Sequence, residues 1–507
     1  MQDNGYSMGT RHTLLILGIA LFLGLIFQGS RGLYESTEGR YALCAREMLD
    51  SGNWLEPTLF GKPHWTKPPL AYWSMATGIR LFGRNAWGAR VPNAIFFALT
   101  ALAVAGIGRR MWDRRTGFLA GLVYATALLP VMLAFSLNTD TFLTLWETLA
   151  ILCFWCAERA DNRSRARWWV VAMWLALALA FETKGPPALM ALIPILVFRL
   201  RDPERKGKAS IFHPAGLLVF FIVGFSWYLY ECSQHPGLLS YFLGDEIVGR
   251  VAGNEFGRNP EWYAPFTMYL PLIAAGAGLW SWYFWRAFAE ARLHRLSGWR
   301  AVSKRHDPAF FLAVWLALPL IVFSLSTSRM YTYILPLFPA VALIAARRAM
   351  RLWPEGPFPR KLATFAAIMF VLGVGGKAAA SFVPTSKKDM GALYSLCRAD
   401  DAKPGTTLVL FQKSRELGLN FYASSPVLRT HATDGDPGEK LTALFARMRK
   451  PSPDRRRMVF ICRKKDHRDL LLETLAEAGF TPAETWSDRN WFLARVELPA
   501  TPNGSEE

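Results

Sequence analysis

Nowhere in its 507 residues does the chain carry a glycine-rich P-loop or a dinucleotide-binding glycine turn, so nothing in it points to a nucleotide-driven reaction. Cysteine is scarce, with six in all. Cys397 and Cys462 leave two alternatives open, a disulfide in an oxidising compartment or a pair of buried thiols. Cys153 and Cys156 have CxxC spacing inside an apolar run with no second ligand pair, so they read as small core residues rather than metal ligands. Acidic residues are few beside basic ones, 39 against 58, for a formal charge of +19. The two halves show no internal repeat, which argues against the inverted-repeat plan of many transporters. The first apolar run, Leu14 to Phe27, lacks a small-residue cleavage site and reads as a retained anchor rather than a removable leader.

What the chain has in quantity is apolar sequence, 52% of residues, arranged in blocks rather than at helical or strand periodicity. Runs near 13–30, 91–108, 117–136, 141–157, 168–182, 187–199, 213–231, 264–285, 309–326, 331–347 and 362–383 give about eleven expected crossings of a bilayer core roughly 30 Å thick. Arginine and lysine follow every even-numbered run, at Arg109–Arg115, Arg159–Arg167, Arg199–Lys208, Arg286–Arg305 and Arg347–Lys361. By the positive-inside rule those loops and the N-terminus are cytoplasmic, so the excess positive charge is topology and not a nucleic-acid footprint.

The remaining loops then share the outer face. Among them is Leu33–Trp73, the one long segment near the N-terminus too polar to be embedded, carrying Glu35, Glu38, Arg40, Arg46, Glu47, Lys62 and Lys67. With it lie Asn138–Asp140, Glu182–Pro187 and Glu231–Tyr263. The expected division is a transmembrane unit over 1–384, with its first outer loop at 31–90, and an outer α/β unit over 385–507 ending in a disordered tail. In the second unit the strand-like TTLVLF and RMVFIC alternate with the helix-like EKLTALFARMRK and RDLLLETLAEAG.

Chemistry concentrates on that face. An ionised carboxylate at the mouth of an apolar span needs a partner or a task, which singles out Asp140 against the plainer reading of a helix cap. Glu147, two turns deeper, reads as a structural pair with a neighbouring helix. Glu38 lies in TEGRYALCAREML, a surface helix, where its plain alternative is an ion pair with Arg40 or Arg46. Lys67 precedes two prolines that hold the backbone extended. Lys184 has a snorkelling alternative at least as good as a functional one. Asp245, Glu246, Arg250, Glu255, Arg258 and Trp262, then Arg329 and Tyr333, complete the set. Carboxylates beside fixed cations suit transfer from a lipid phosphate, one group acting as base for the incoming hydroxyl and the cations stabilising the leaving phosphate. No cofactor is required by this reading. A divalent metal is left open, with His64 and His235 as outer-face candidates whose plainer role is structural.

The segments EGRYALCAREMLDSGNWLEPTLFGKPHWTKPPLAYW, LNTDTFLTLW, ETKGPPAL and SRMYTYILPLFP resemble, in order, the signatures of the bacterial aminoarabinose transferase and protein mannosyltransferase-like membrane glycosyltransferases. The resemblance covers about residues 12–380. It implies a mainly α, polytopic C-type glycosyltransferase fold with periplasmic surface helices and a small C-terminal α/β domain, in the bacterial inner membrane with the active site on the periplasmic side. It also implies transfer of a sugar from a polyprenyl-phosphate donor to a lipid A-like or other periplasmic acceptor, without nucleic acid as partner. By the same resemblance Glu38 and Asp140 are the catalytic carboxylates, and Lys67, Arg250, Tyr333, Arg40 and Tyr41 the donor-phosphate contacts. The chain departs from the pattern at Thr37, where the family has the Asp of an Asp-Glu pair, and at Thr66, where it has an acid before the lysine. A lipid-linked-sugar transporter or flippase is the alternative from another class, set against it by charges gathered at one face rather than mid-membrane; a non-catalytic assembly or polymer-binding protein is a third.

Overall fold

The computed structural model describes residues 9–201, 208–244, 258–293, 307–382, 387–411, 416–431, 439–450 and 456–498. The first part of the chain forms helices α1 (Thr10–Leu25), α2 (Thr37–Ser51), α3 (Leu70–Phe82), α4 (Ala86–Met111), α5 (Arg114–Thr126), α6 (Leu128–Ala134), α7 (Asp140–Glu158), α8 (Arg163–Lys184), α9 (Leu192–Leu200) and α10 (Pro214–Gln234). Among the described residues, seven helices are long and apolar enough to cross a membrane: α4, α7, α8, α10, Pro308–Leu325, Tyr331–Met350 and Arg360–Phe382. The protein is a multi-pass membrane protein.

The remaining expected runs are not straight spans. Run 117–136 is α5 and α6, bent by 55° at Ala127, and three others form the shorter apolar helices Thr10–Leu25, Pro186–Leu200 and Pro265–Ala275. The causes are local. Pro186 and Pro187 turn the backbone into a 3₁₀ segment before α9, and Gly278 at φ +64° breaks the run after Ala275. The bundle has an inside and a rim: α4 and α7 are each 72% buried along their apolar window, whereas α10 and Arg360–Phe382 are 28% buried. Leu218, Phe221, Ile222 and Leu229 of α10 accordingly face outward, as a helix apolar all round does in lipid. Small residues bring the inner helices close. A Cβ on Gly117 of α5 would stand 2.7 Å from the Arg109 amide nitrogen of α4.

Contacts between loops sort the helix ends. Arg159 donates to Arg110 O (3.1 Å) and Arg115 to Pro354 O (3.1 Å), while Arg199 and Lys208 both pair with Glu158 (2.5 and 2.8 Å). These basic loops share one end. The opposite end gathers the start of α7, the ends of α8 and α10, and the segment from Ser30 to Phe82.

That segment is pinned from beneath and from the side. Arg90 of α4, fully buried, donates to Gln28 O (2.8 Å), Arg31 O (3.0 Å) and Gly32 O (2.7 Å), and pairs with Glu38 (2.8 Å). On α2, the Glu47 carboxylate accepts from Thr58 Oγ (2.7 Å), Phe60 N (2.8 Å) and Gly61 N (3.1 Å). It thereby holds the hairpin of β1 (Thr58–Leu59) and β2 (Lys62–Pro63). Phe60 and Gly61 both have positive φ, the geometry of a tight two-residue turn. The hairpin delivers Trp65, Thr66 and Lys67 toward the bundle.

After the last span lies a six-stranded mixed sheet in the order β5-β4-β3-β6-β8-β7, built of β3 (Thr406–Phe411), β4 (Val427–His431), β5 (Glu439–Lys440), β6 (Arg457–Arg463), β7 (Glu484–Ser487) and β8 (Trp491–Glu497). β3 pairs in parallel with β4 and β6, and β8 is antiparallel to β6 and β7. Every residue of β3 is buried, as expected of a central strand covered on both faces. Helices Leu441–Met448 and Lys464–Glu477 cover one face through Leu444, Phe445, Leu471 and Leu475. Met390–Asp401 and Leu417–Tyr422 cover the other through Met390, Leu393, Cys397 and Leu419. The expected strands and helices are present, except that Glu439 and Lys440 extend β4's edge instead of opening a helix. Cys397 and Cys462 are buried free thiols, and Cys153 and Cys156 are free as well.

The sheet unit rests on the pinned segment. Tyr34 bridges Asp389, Met390 N donates to Leu33 O (3.0 Å), and the Leu417 and Gly418 amides donate to the Glu35 carboxylate (3.0 and 2.8 Å). Removing one partner of a buried pair strands the other charge at a cost of about 3 kcal/mol or more. Arg90→Met is therefore expected to lower the thermal midpoint of the detergent-solubilised protein by many degrees, while Arg46→Met at the half-buried rim lowers it little. Equal midpoints for wild type and Arg90→Met would show that the network does not anchor the loop.

Candidate active site

Acidic side chains reach the loop end of the bundle from several elements, and their partners separate them. Glu38 is buried and ringed by donors. Its Oε1 accepts from Arg90 Nε (3.0 Å), Leu137 N (2.7 Å) and Arg31 Nη2 (3.3 Å), and its Oε2 from Arg31 Nη1 (2.7 Å), Arg90 Nη2 (2.8 Å) and Tyr34 N (2.8 Å). Burial pushes this carboxyl up, but Arg90 and Arg31 outweigh it and hold it down to about 2. The expected ion pair with Arg40 or Arg46 is replaced by one with Arg31 and Arg90. Its two oxygens accept from six donors, so Glu38 is held by the arginines and backbone around it rather than turned toward the cavity. It ties α2, the Arg31–Tyr34 turn and the Leu137 loop before α7 together.

Asp140 is different. The cap of α7 falls to Asn138, whose Oδ1 accepts from Thr141 N (2.9 Å) and Thr141 Oγ1 (3.0 Å). Asp140 is thus released from capping, and its carboxylate pairs with Lys184 at the end of α8. Both side chains are over nine-tenths buried. The Lys184 ammonium also stands 4.4 Å from the Tyr333 ring centroid, a cation–π contact that draws in the Tyr331–Leu337 turn. Lys184 is therefore the centre of the cluster rather than a snorkelling residue. Tyr41 of α2 lies close enough for Lys184 and Asp140 to act on its phenol, whose ionisation burial pushes up.

This cluster lines a cavity of about 450 Å³. Lys67, Thr66, Asp140, Lys184, Ser326, Ser328 and Tyr333 are polar residues of its wall. Phe181, Pro187, Met190, Phe225, Leu229, Phe242, Leu243, Val322 and Phe323 make most of the rest apolar. Lys67 donates to its own neighbour's carbonyl, Thr66 O, at 2.8 Å, a short local bond that keeps its ammonium at the cavity wall. Of the expected phosphate contacts, Lys67, Tyr333 and Tyr41 are thus brought to the Asp140 cluster. Arg40, one residue away on α2, is not among the cavity's lining residues, and its charge acts on Glu35, Tyr41 and Tyr72. Arg250 lies outside the described residues, as do Asp245, Glu246 and Glu255. Arg329 is a clamp rather than a site residue, donating to Asn259 O (2.9 Å), Glu261 O (2.9 Å) and Ser324 O (3.0 Å). Glu147 is buried on the Asp140 face of α7 and, among the described residues, pairs with no neighbouring helix. Arg31 and Arg90 escaped the sequence reading; an arginine at the opening of an apolar run was the available signal.

With this geometry in hand, comparison with known proteins is direct. A profile of the dolichyl-phosphate-mannose-protein mannosyltransferase family matches residues 66–230. An undecaprenyl phosphate-α-4-amino-4-deoxy-L-arabinose arabinosyl transferase of Pseudomonas fluorescens is 33% identical over 344 residues, covering 67% of this chain and 60% of its own length. The chain thus spans about three-fifths of that relative. The crystal structure of ArnT from Cupriavidus metallidurans bound to undecaprenyl phosphate superposes with a TM-score of 0.77 at 19% identity, covering 98% of this chain and all of the other. The archaeal oligosaccharyltransferase AglB of Archaeoglobus fulgidus, solved with an inhibitory peptide and a dolichol-phosphate, superposes at 0.53 over 88% of this chain. The chain is a polytopic membrane protein of the C-type glycosyltransferase fold. Within that fold it is related in sequence to the aminoarabinose transferases and the protein mannosyltransferase-like enzymes.

The Glu38 network makes a pH prediction. Its carboxyl is depressed to about 2 from an ordinary value of 4.5, so the stabilisation is complete above pH 4.5 and is lost as pH falls toward 2. Glu35 acts oppositely, since burial pushes it up to about 7 and its contribution is lost as pH rises from 4.5 through 7. In a Glu35→Gln background the thermal midpoint should therefore hold from pH 7 to 5 and fall below pH 4.5. A midpoint already falling between pH 7 and 5 in that background would contradict the assignment.

Proposed function

We propose that the protein is an integral membrane glycosyltransferase that moves a sugar from a polyprenyl-phosphate donor to a lipid A-like or other periplasmic acceptor. The observation that carries the reading is the lining of the cavity, mostly apolar but including Lys67, Lys184, Tyr333 and Asp140. A polyprenyl phosphate has the same two-part chemistry. Its prenyl units suit walls of Phe, Leu and Val, and its phosphate suits two ammonium groups and a phenol. The names of the relatives and the undecaprenyl phosphate bound to the similarly folded ArnT support the same donor class.

In this reading Lys67 and Lys184 stabilise the charge that grows on the departing phosphate, and the phosphate already being a good leaving group, no general acid is needed at the donor. Asp140 is the base that takes the proton of the acceptor hydroxyl. Its pairing with Lys184 sets the order of events, because a phosphate arriving beside Lys184 competes for the ammonium and releases the carboxylate for proton transfer. Tyr41 and Tyr333 line the site, and Arg40 and Arg250 are kept as further phosphate contacts. The proposed organisation is a transmembrane catalytic unit over 1–384 and a periplasmic α/β unit over 385–507, in a bacterial inner membrane. The basic loops at the opposite end are the support for that orientation.

Two measurements test this. Asp140→Asn keeps the Asn138 cap and is expected to fold and bind undecaprenyl phosphate, yet to lose transfer by about 10²-fold or more, as for a missing base. Lys67→Ala is expected to raise the KM for donor more than it lowers kcat, with partial rescue by Lys67→Arg. Wild-type transfer by purified Asp140→Asn, with a defined polyprenyl-phosphate sugar and acceptor, would overturn the mechanism. For orientation, alkaline phosphatase fused after residue 384 should be active and a fusion after residue 205 inactive; the reverse pattern would refute the periplasmic placement.

A further inference from the structure

Beside the donor cavity lies a second group of ionisable side chains that the transfer reaction does not use. Glu231 and His235 stand one helical turn apart at the end of α10, and Glu56 approaches them from the loop before the β1–β2 hairpin. His235 Nε2 is 2.9 Å from Glu56 Oε1 and 3.6 Å from a Glu231 oxygen. One ligand atom from each of the three residues falls within 4.8 Å of the others. We propose that Glu56, Glu231 and His235 form a binding site for a divalent transition-metal ion of the zinc type.

Three observations carry it. First, the spacing fits. Two ligands on a tetrahedral ion with bonds of about 2.0 Å lie about 3.3 Å apart, and the two measured separations bracket that value. Second, the polar atoms are left over. The Glu231 side chain is 1% exposed, and its Oε1 has no hydrogen-bond partner among the described residues. Among them Glu56 Oε1 likewise makes no hydrogen bond, though it stands 2.9 Å from the imidazole nitrogen. A buried carboxylate oxygen with nothing to accept from costs free energy, and a cation placed between the lone pairs removes that cost. Third, the charge does not balance. Two carboxylates face one imidazole, which is at most singly positive, whereas a dication neutralises both acids with the imidazole neutral. An imidazole ligand selects a transition ion over magnesium or calcium, which take oxygen ligands.

The surroundings have the form of a metal site's outer layer. The Trp65 indole N–H donates to Glu231 Oε2 at 3.1 Å and so orients that carboxylate, and the indole ring lies 4.8 Å from the imidazole ring, centroid to centroid. Three protein ligands leave a fourth position, and a cavity of about 310 Å³ lined by His64, Trp65, Thr66, His235 and Tyr241 adjoins the cluster. Water or the His64 imidazole completes the set there. The ion would tie the end of α10 to the loop whose residues 65–67 lead to Lys67. Its bearing on donor binding rests on the glycosyltransferase reading; the metal site itself does not.

The test is metal retention by the full-length protein, purified in detergent on a histidine-free tag, stripped with EDTA, incubated with zinc sulfate and desalted. Wild type is expected to keep about one zinc per chain by mass spectrometry, the number one such site holds. His235→Asn and Glu231→Gln should keep less than a tenth of that, and Glu56→Gln, at the half-buried edge, should bind at least tenfold more weakly. Zinc should raise the thermal midpoint of wild type and leave that of His235→Asn unmoved, and cobalt should give the visible absorption of a tetrahedral site in wild type alone. The proposal is overturned by wild type that retains no zinc, or by variants that retain as much as wild type. Loss of zinc in His235→Asn with undecaprenyl phosphate still bound supports the metal site independently of the transfer reaction. Failure of transfer in a protein that holds its zinc counts against the glycosyltransferase reading alone.

Discussion

The Glu38–Arg90–Arg31 network is the constraint on which the loop end depends. The segment between α1 and α4 packs through an apolar underside, Ala42, Cys44 and Met48 of α2 against Ala71, Tyr72 and Met75 of α3, but apolar packing alone does not fix the direction in which the chain enters. Arg90 fixes it. Its guanidinium reaches three backbone carbonyls of residues 28–32 as well as Glu38, so one side chain fixes the turn, the start of α2 and the direction from which the chain leaves α1. Desolvating that guanidinium is costly, and the geometry compensates because every donor finds an acceptor. Glu38 passes the constraint on through the Leu137 amide to the residues just before α7.

From there the placement of Asp140 follows. The peptide before α7 is held at Leu137 from one side and by Asn93, whose amide donates to Asn138 O at 2.9 Å, from the other. Asn138 in turn caps the helix. The three residues 137–139 are consumed in fixing the backbone, and Asp140 is the first whose side chain is free to turn toward α8. The two carboxylates that look equivalent in sequence therefore divide: one saturated and structural, the other paired with a single lysine at the edge of a cavity. This is an architectural division of labour, since swapping the positions would leave either the loop unanchored or the cavity without an acid.

The long apolar spans, the strands of the terminal sheet and the gathering of Asp140 and Lys67 at one end of the bundle were legible in the sequence because each depends on local information: run length, alternation, or a charge beside apolar residues. The failures have a common cause. The pair expected between Glu38 and Arg40 or Arg46 gives way because Arg90, fifty-two residues on, becomes a neighbour only once α3 and α4 fold back under the loop, where it joins Arg31. Lys184 was undervalued because a lysine at a helix end has a sufficient local explanation, and only the approach of α7 and the Tyr331–Leu337 turn supplies the other one. The straight crossings expected at 117–136, 187–199 and 264–285 fail differently. Hydropathy counts residues and not bends, and a proline pair or a glycine at positive φ leaves the count unchanged while breaking the helix.

The threonines at 37 and 66 gain meaning from these contacts. Both depart from the pattern the chain otherwise resembles, and both adjoin a residue whose surroundings are well defined: Glu38, buried in its arginines, and Lys67, at the cavity wall. An acid at 66 would bring a carboxylate to the ammonium beside it and draw that ammonium from the cavity; a threonine leaves it directed by a local carbonyl instead. Carboxylates are nevertheless abundant nearby. Glu35 meets the backbone of the sheet unit, Glu47 holds the hairpin, and Glu56 and Glu231 meet at His235. Each is committed to holding some part of the loop, and Asp140 is the carboxylate that both lines the donor cavity and faces a cation there. The acids that hold the loop are thus separated in space from Asp140, which meets Lys184 at the cavity wall.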